Sequence, residues 1–198
     1  SMVSDILSDD QLEIVMPMEK SKLILLPVNA EYDVYFYTES GLYQCFVKVI
    51  DRYKQDNQYI LLLELTSNLR KFQRREYYRL GCALEMSARP LEKEEIRAVE
   101  NNDKYLVPGL PLKRSVIVDI SGGGIRFVGD YCYEPDSLVC CKYNLATDGK
   151  SKEYTLISKI LTARELPDRP GLYEHRAQYI HIDTAEREEI IRFIFEEE

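Results

Sequence analysis

Two short segments of the chain contain residue types that are suited to binding a small anionic ligand. The first is the basic run LRKFQRREYYR at residues 69–79, in which Arg74, Arg75 and Arg79 form an RRxxxR pattern. Guanidinium groups stay charged and present planar pairs of donors, which match phosphate oxygens and the O6/N7 edge of guanine. An arginine plane can also stack on a purine face. Arginine-containing linkers are common, however, so this pattern alone does not identify a site.

The second segment, DISGGG at residues 119–124, forms a DxSxxG pattern at the end of a predicted strand. Alternate residues of a strand share a face, so Asp119 and Ser121 are expected on one side, with Ile120 buried between them. A carboxylate can accept hydrogen bonds from guanine N1–H and its exocyclic amine, and a hydroxyl can donate or accept. Gly124 has no side chain, which permits close approach of a ligand or a positive φ. Aspartate and glycine are also frequent in ordinary turns.

The distribution of charge favours a small ligand over a long polyanion. The 198-residue chain has a net charge of −8, yet residues 69–79 contain five cations and one anion. An acidic chain is a poor general binder of nucleic acid, since phosphate neutralisation supplies most of that affinity. A basic island within an acidic chain instead predicts a compact anionic ligand, with no nucleic-acid partner.

Catalytic motifs are missing from the sequence, which therefore predicts a protein without enzymatic activity. No HExxH, GxSxG or Walker sequence occurs. The glycines at residues 122–124 do not form GxGxxG, because position 127 is Phe127. His175 and His181 both fall in a predicted strand, where they are interpreted as partly exposed strand residues.

The cysteines predict neither a disulfide framework nor a metal site. Their number is odd, no CxxC occurs, and several lie in apolar runs. They are interpreted as reduced cysteines that act as small apolar side chains, and no metal or organic cofactor is predicted. The five are Cys45, Cys82, Cys132, Cys140 and Cys141.

Short apolar runs separated by turns predict that strands position the two segments. Turns recur every 8–12 residues through much of the chain, which is typical of a small barrel or sandwich. Residues 89–112 are polar and contain three prolines, so they are predicted to form an insertion with a short helix at 91–99. The predicted strands are 20–28, 33–37, 43–49, 58–65, 77–86, 114–120, 125–128, 137–143, 154–165 and 173–182.

A helix is predicted at the C-terminal end of the sequence. Asp183 can cap its first turn, and Glu186, three residues later, can accept a hydrogen bond from the Asp183 amide, which completes a capping box. The pairs Ile190/Ile194 and Ile191/Phe195 are spaced i, i+4 on an apolar stripe. The polar face is acidic, which argues against a membrane role. No apolar stretch approaches twenty residues, so membrane insertion is not expected. No signal segment opens the sequence, so a cytoplasmic location is expected.

Taken together, the two patterns, their order and their β context resemble the PilZ family, from about Arg74 to the terminal helix. Residues 10–68 are similar to the N-terminal barrel of YcgR-type flagellar brake proteins. The resemblance implies an all-β fold of two small β-barrels, an N-terminal split barrel and a six-stranded PilZ barrel, with a C-terminal α-helix. It implies an N-terminal domain at 2–68, a basic interdomain junction at 69–79, and a PilZ domain at 74–198.

The PilZ resemblance implies cyclic di-GMP as the ligand. Arg74, Arg75 and Arg79 would clamp phosphates and guanine edges. Asp119 and Ser121 would hydrogen-bond a guanine, and Gly124 would shape the turn. The chain departs from the family pattern at its long 89–112 segment and at Ala177, where the family often has glycine.

The implied function is that of a cyclic di-GMP sensor. The like charges of the junction repel one another, and the ligand would neutralise them and change the arrangement of the two domains. The resemblance implies a protein partner in the flagellar motor, an effect on motility, and recruitment to the flagellar basal body. The alternative is a ligand-independent interaction module that uses the basic junction to dock an acidic partner.

Overall fold

The computed structural model describes residues 1–147 and 149–198, which form two compact units. The N-terminal unit is Ser1–Arg74 and the C-terminal unit is Arg75–Glu198. Both units consist mainly of antiparallel strands, and a helix follows the last strand. The predicted mostly-β fold with a C-terminal helix is therefore confirmed.

The N-terminal unit is a half-barrel sheet with strand order β1–β2–β7–β6–β5, and β8 pairs with β6. Its core comes from alternate residues of β6 and β7, such as Val47, Val49, Leu61 and Leu63. These inward-facing side chains explain the period of two in the sequence. The strands are β1 (Val3–Ile6), β2 (Gln11–Val15), β3 (Met18–Glu19), β4 (Lys22–Leu23), β5 (Glu31–Thr38), β6 (Gly41–Gln55), β7 (Gln58–Leu65) and β8 (Arg70–Lys71).

The N-terminal unit departs from the predicted strands in two ways: one predicted strand is shortened, and several short strands were missed. The strand expected at 20–28 is reduced to β4. Lys20 and Ser21 adopt positive φ (45° and 67°) and turn the chain between β3 and β4, and residues 24–28 are not in a strand. Strands β1, β2, β3 and β8 fall outside the predicted strands. All four residues of β1 are exposed, so this strand carries no alternation of buried and exposed positions.

The C-terminal unit is a closed six-stranded barrel with strand order β10–β11–β14–β13–β12–β9. Its core includes Ile117, Ile120, Phe127 and Ile160, all fully buried. The burial expected for Ile120 is thus confirmed. The elements are β9 (Arg79–Pro90), α1 (Lys93–Glu100), β10 (Lys113–Ser121), β11 (Gly124–Gly129), β12 (Leu138–Thr147), β13 (Lys150–Leu166), β14 (Arg169–Tyr179) and α2 (Thr184–Glu196).

Helix α2 begins with the predicted capping box. Asp183 accepts a hydrogen bond from the Ala185 amide (2.8 Å), and Glu186 accepts one from the Asp183 amide. Ile190 and Ile194 are buried in the barrel core as predicted. The placement of Phe195 on that stripe is wrong: Phe195 is exposed and Phe193 is buried instead. The two positions differ by about 200° of helix rotation, so they cannot both face the barrel.

The segment 89–112 is packed against the barrel through α1. The Arg89 guanidinium and Glu95 carboxylate form a buried bidentate ion pair, with N–O distances of 2.8 and 2.5 Å. This pairing lowers the pKa of Glu95 to about 2. Leu91 and Val99 form a small apolar cluster with Ile157 of β13. The helix predicted at 91–99 is present, beginning two residues later.

The structure contradicts the expectation that His175 is partly exposed. Its side chain is fully buried and its Nε2 accepts a hydrogen bond from the Tyr133 amide (3.0 Å). The ring stacks on Phe127, and burial lowers the pKa of His175 to about 4. His181 lies beyond the end of β14, where its φ is +50°.

The cysteines are free, and Cys45, Cys140 and Cys141 are buried while Cys132 is exposed. Within residues 1–147 and 149–198, no group of three or more His, Cys, Asp or Glu side chains could hold a metal ion. In the same part of the chain, no helix has the length and apolar character needed to span a membrane.

Candidate ligand-binding site

Strand pairing in the C-terminal unit brings parts of both sequence patterns together. Arg79, the last arginine of RRxxxR, begins β9, and Ser121 ends β10; the two are directly paired. Asp119 pairs with Gly81 on the same two strands, and Ser121 pairs with Gly124 at the start of β11. Arg79, Asp119, Ser121 and Gly124 therefore lie at one end of three adjacent strands.

The Ser121 hydroxyl holds the turn of residues 119–124, which we call the signature turn. It donates to the Gly124 carbonyl (3.1 Å) and accepts from the Gly123 amide (3.3 Å). Its side chain is buried. Because the hydroxyl proton is committed to Gly124, Ser121 directly shapes the backbone of the signature turn.

Gly124 is required by the close approach of two strands. A Cβ at this position would lie 2.1 Å from the Ala177 carbonyl oxygen of β14, far inside van der Waals contact. Its φ is not in the positive range, so the positive φ considered for Gly124 is wrong. The glycine allows β11 to pack against β14 and so sets the position of the signature turn.

Tyr77 connects the basic junction to the signature turn, a contact that sequence reasoning missed. A Cβ on Gly122 would lie 2.7 Å from Tyr77 Cδ1, and one on Gly123 3.1 Å from Cδ2. The ring therefore lies directly on the glycine backbone. The Tyr77 hydroxyl accepts a hydrogen bond from Arg187 Nη1 of α2 (2.7 Å). The sequence signals that could have suggested this contact were an aromatic residue between the arginines and the consecutive glycines of the signature turn.

The next residue also ties the junction to α2. The Tyr78 ring stacks on Phe195, with centroids 6.4 Å apart and planes inclined by 21°. A hydrogen bond to the Glu198 carboxylate raises the pKa of Tyr78. Tyr77 and Tyr78 thus hold the residues between Arg75 and Arg79 against the barrel and its terminal helix.

Asp119 forms an ion pair with a second residue that sequence reasoning missed. The Nε of Arg126 lies 2.5 Å from Asp119 Oδ2, and Arg126 Nη1 lies 2.7 Å from Glu174 Oε2. The hydrogen bond to Asp119, and after it the hydrogen bond to Glu174, raises the pKa of Arg126. Arg126 is the polar residue between buried Ile125 and Phe127, and that alternation was the only sequence signal for it.

The first arginine of the pattern belongs to the N-terminal unit. Arg74 Nη1 donates to the Tyr37 hydroxyl (3.0 Å), and its guanidinium carbon lies 5.4 Å from the centre of the Tyr37 ring. Arg75 begins the C-terminal unit, and its side chain is exposed. The C-terminal unit thus contains five of the six predicted residues, and four of these lie at one end of three adjacent strands. Arg74 has an aromatic partner within the N-terminal unit.

Two family models together match almost the whole chain. Residues 68–196 match the model of the PilZ domain. The chain belongs to the PilZ family. Residues 1–65 of this PilZ chain match the model described as flagellar protein YcgR. The predicted combination of a PilZ domain and a YcgR-like N-terminal region is therefore confirmed.

A solved structure with a high TM-score shares the fold of this PilZ chain. The inhibitor of motility MotI/DgrA of Bacillus subtilis superimposes with a TM-score of 0.79 at 16% identity, over 98% of this chain and 86% of that chain. YcgR of Escherichia coli in complex with c-di-GMP has a TM-score of 0.46 at 11% identity, over 98% and 76% of the respective chains. Among curated proteins, none matches this chain in sequence.

Proposed function

We propose that this PilZ chain is a non-enzymatic receptor for cyclic di-GMP. The observation that carries the proposal is the direct pairing of Arg79 with Ser121, which joins the arginine pattern to the signature turn. Cyclic di-GMP has two phosphates and two guanines, so its site calls for several guanidinium groups and at least one carboxylate. Arg75, Arg79 and Asp119 supply both kinds of group within the C-terminal unit.

In the proposed complex, Arg74, Arg75 and Arg79 contact the phosphates and the O6/N7 edges of the guanines. The Asp119 carboxylate accepts from guanine N1–H and the exocyclic amine. Ser121 and Gly124 act through the backbone of the turn, in accordance with the hydrogen bond between them. Tyr77 holds the chain between Arg75 and Arg79 against that turn.

We infer that ligand binding neutralises the basic junction and changes the arrangement of the two units. Each half of the junction already has an anchor: Arg74 contacts Tyr37, and Tyr77 contacts Gly122. A ligand that takes up the Arg74 guanidinium would compete with its hydrogen bond to Tyr37. The energy of the new charge-assisted contacts is then available to shift the population of arrangements of the two units.

For the output, we propose regulation of flagellar motility through a protein partner in the motor, with recruitment to the flagellar basal body from the cytoplasm. The match of residues 1–65 to the flagellar protein YcgR model supports this output. Loss of swimming control in a strain carrying Arg75→Ala, with unchanged protein level, is the expected cellular result.

The test is calorimetric titration of cyclic di-GMP into the wild-type protein, Arg75→Ala and Arg114→Ala. Arg114 is a matched control, because it is exposed near the other end of β10 from the signature turn. Loss of a charge-assisted contact should cost Arg75→Ala about 1.5–3 kcal/mol, which is roughly tenfold or more in affinity. Arg114→Ala should bind like the wild type. The wild-type stoichiometry distinguishes one ligand from an intercalated pair.

No heat and no rise in melting temperature for the wild-type protein would overturn the receptor proposal. Binding that survives in Arg75→Ala at full affinity would place the ligand elsewhere on the chain. In either case the arginines would be interpreted as a docking patch for an acidic protein partner. Enzymatic activity is tested separately, by incubating the protein with cyclic di-GMP and analysing the mixture for products.

A further inference from the structure

We infer that Arg126 is a positioning residue for Asp119 and thereby sets the selectivity of the site for guanine. This inference rests on the proposed function and deepens it. Arg126 lies outside both sequence patterns. Its side chain is on the outer face of the barrel, next to buried Phe127, and is not part of the barrel core.

The three charged side chains lie on three adjacent strands. Asp119 of β10 is paired with Arg126 of β11, and Glu174 of β14 lies two residues before Arg176, the direct partner of Arg126. Arg126 therefore bridges two carboxylates, with its Nε on Asp119 and its Nη1 on Glu174. The side chains are partly buried, with exposed fractions of 17% for Asp119, 35% for Arg126 and 18% for Glu174.

The bridge fixes the orientation of the Asp119 carboxylate. A guanidinium is planar and rigid, so anchoring one of its edges on Glu174 restricts where its Nε can point. Asp119 accepts the Nε hydrogen bond through Oδ2. A carboxylate has about four acceptor positions on its two oxygens, so one bond to Arg126 leaves acceptor capacity for a ligand.

A fixed carboxylate matters most for a base that presents two donors side by side. Guanine offers N1–H and the 2-amino group along one edge, and both must align with the carboxylate at once. Hypoxanthine keeps N1–H and lacks the 2-amino group. A carboxylate held in place gains more from the second donor than one that rotates, because a mobile side chain must first be ordered.

The experiment compares cyclic di-GMP with cyclic di-IMP, its inosine analogue, in the wild-type protein, Arg126→Gln and Arg114→Gln. For Arg126→Gln we expect affinity for cyclic di-GMP to fall about 3- to 10-fold, the cost of ordering one side chain. The preference for cyclic di-GMP over cyclic di-IMP should fall with it. Arg114→Gln, on the same strand as Asp119, should leave both values unchanged.

A variant that merely loosened the barrel would weaken both nucleotides equally and leave their ratio unchanged, and that result would overturn the inference. Tighter binding of cyclic di-GMP by Arg126→Gln would also overturn it, since Arg126 would then be a competitor for Asp119. If Arg126→Gln does not fold, Glu174→Gln is the test. This variant keeps Arg126 but removes the carboxylate that anchors it, so the preference for cyclic di-GMP over cyclic di-IMP should also fall.

The outcomes separate this inference from the proposed function. A wild-type protein that binds neither nucleotide contradicts the receptor proposal itself. A wild-type protein that binds cyclic di-GMP, while Arg126→Gln and Glu174→Gln keep the wild-type preference, contradicts only the role of Arg126.

Discussion

Arg79 and Ser121 are direct partners across the antiparallel strands β9 and β10, although 42 positions separate them in the sequence. This one pairing places the last arginine of RRxxxR beside the signature turn. The pairing depends on the register of two long strands, and that register shifts between Ile117 and Asp119, just before the site, where β9 has one residue more than β10.

Replacement of Arg79 by alanine should weaken cyclic di-GMP binding without destabilising the barrel. Arg79 is exposed, so its removal leaves no cavity. The lost contact to a phosphate or guanine should cost about 1.5–3 kcal/mol of binding free energy. Calorimetry gives the affinity and thermal unfolding without ligand gives the stability. A large fall in melting temperature without ligand would show that Arg79 has a structural role instead.

Gly124→Ala should destabilise the C-terminal unit. The new methyl group would meet the Ala177 carbonyl oxygen at 2.1 Å, so β11 and β14 must separate. Such overpacking typically costs about 1–3 kcal/mol of the free energy of unfolding. Gly81→Ala in β9 is the control, because a methyl group added there would meet no atom within 4 Å. Urea unfolding of both variants checks the prediction, and equal stabilities would contradict the packing role of Gly124.

Tyr77→Ala should weaken ligand binding more than Tyr77→Phe. Alanine removes the ring that lies on Gly122 and Gly123, and this releases the segment between Arg75 and Arg79. Phenylalanine keeps that ring and loses only the hydrogen bond from Arg187. Ordering the released segment would cost about 1 kcal/mol or more per residue fixed. Titration of cyclic di-GMP tests this order, and equal affinities of the two variants would argue against it.

The stability of the C-terminal unit should fall as the pH falls from about 6.5 to about 4, owing to His175. The pKa of His175 is about 4 in the folded chain, against an unperturbed value of 6.5. Between these pH values the histidine is protonated in the unfolded chain and neutral in the folded chain, which favours unfolding. The contribution of neutral His175 to the free energy of unfolding is fully present above pH 6.5 and is lost as the pH falls toward 4. The full effect is about 3 kcal/mol.

The measurement is urea unfolding at several pH values with the wild-type protein, His175→Gln and His181→Gln. Glutamine at 175 can still accept from the Tyr133 amide and does not titrate, so the slope between pH 6.5 and 4 should shrink. His181→Gln is the control, because this histidine is exposed beyond β14. Identical slopes for the wild type and His175→Gln would refute the assignment to His175.

Features that depend on local pattern could be predicted from the amino-acid sequence alone. The alternation of apolar residues predicted most of the strands, and Asp183 and Glu186 predicted the start of α2. The RRxxxR and DxSxxG patterns identified the PilZ resemblance, because the residue types and their short spacings are written directly in the chain. These features need no knowledge of distant partners.

Which distant residues meet became known only from the three-dimensional fold. The partners of Asp119, the packing of Tyr77 on the glycines and the burial of His175 all depend on strand register and barrel closure. A shift of register by one residue would turn every side chain of a strand to the other face, and local patterns do not fix register between strands that are far apart in the chain. Gly124 shows the same limit: its residue type was evident, but the reason for it, contact with the Ala177 carbonyl, lies on another strand.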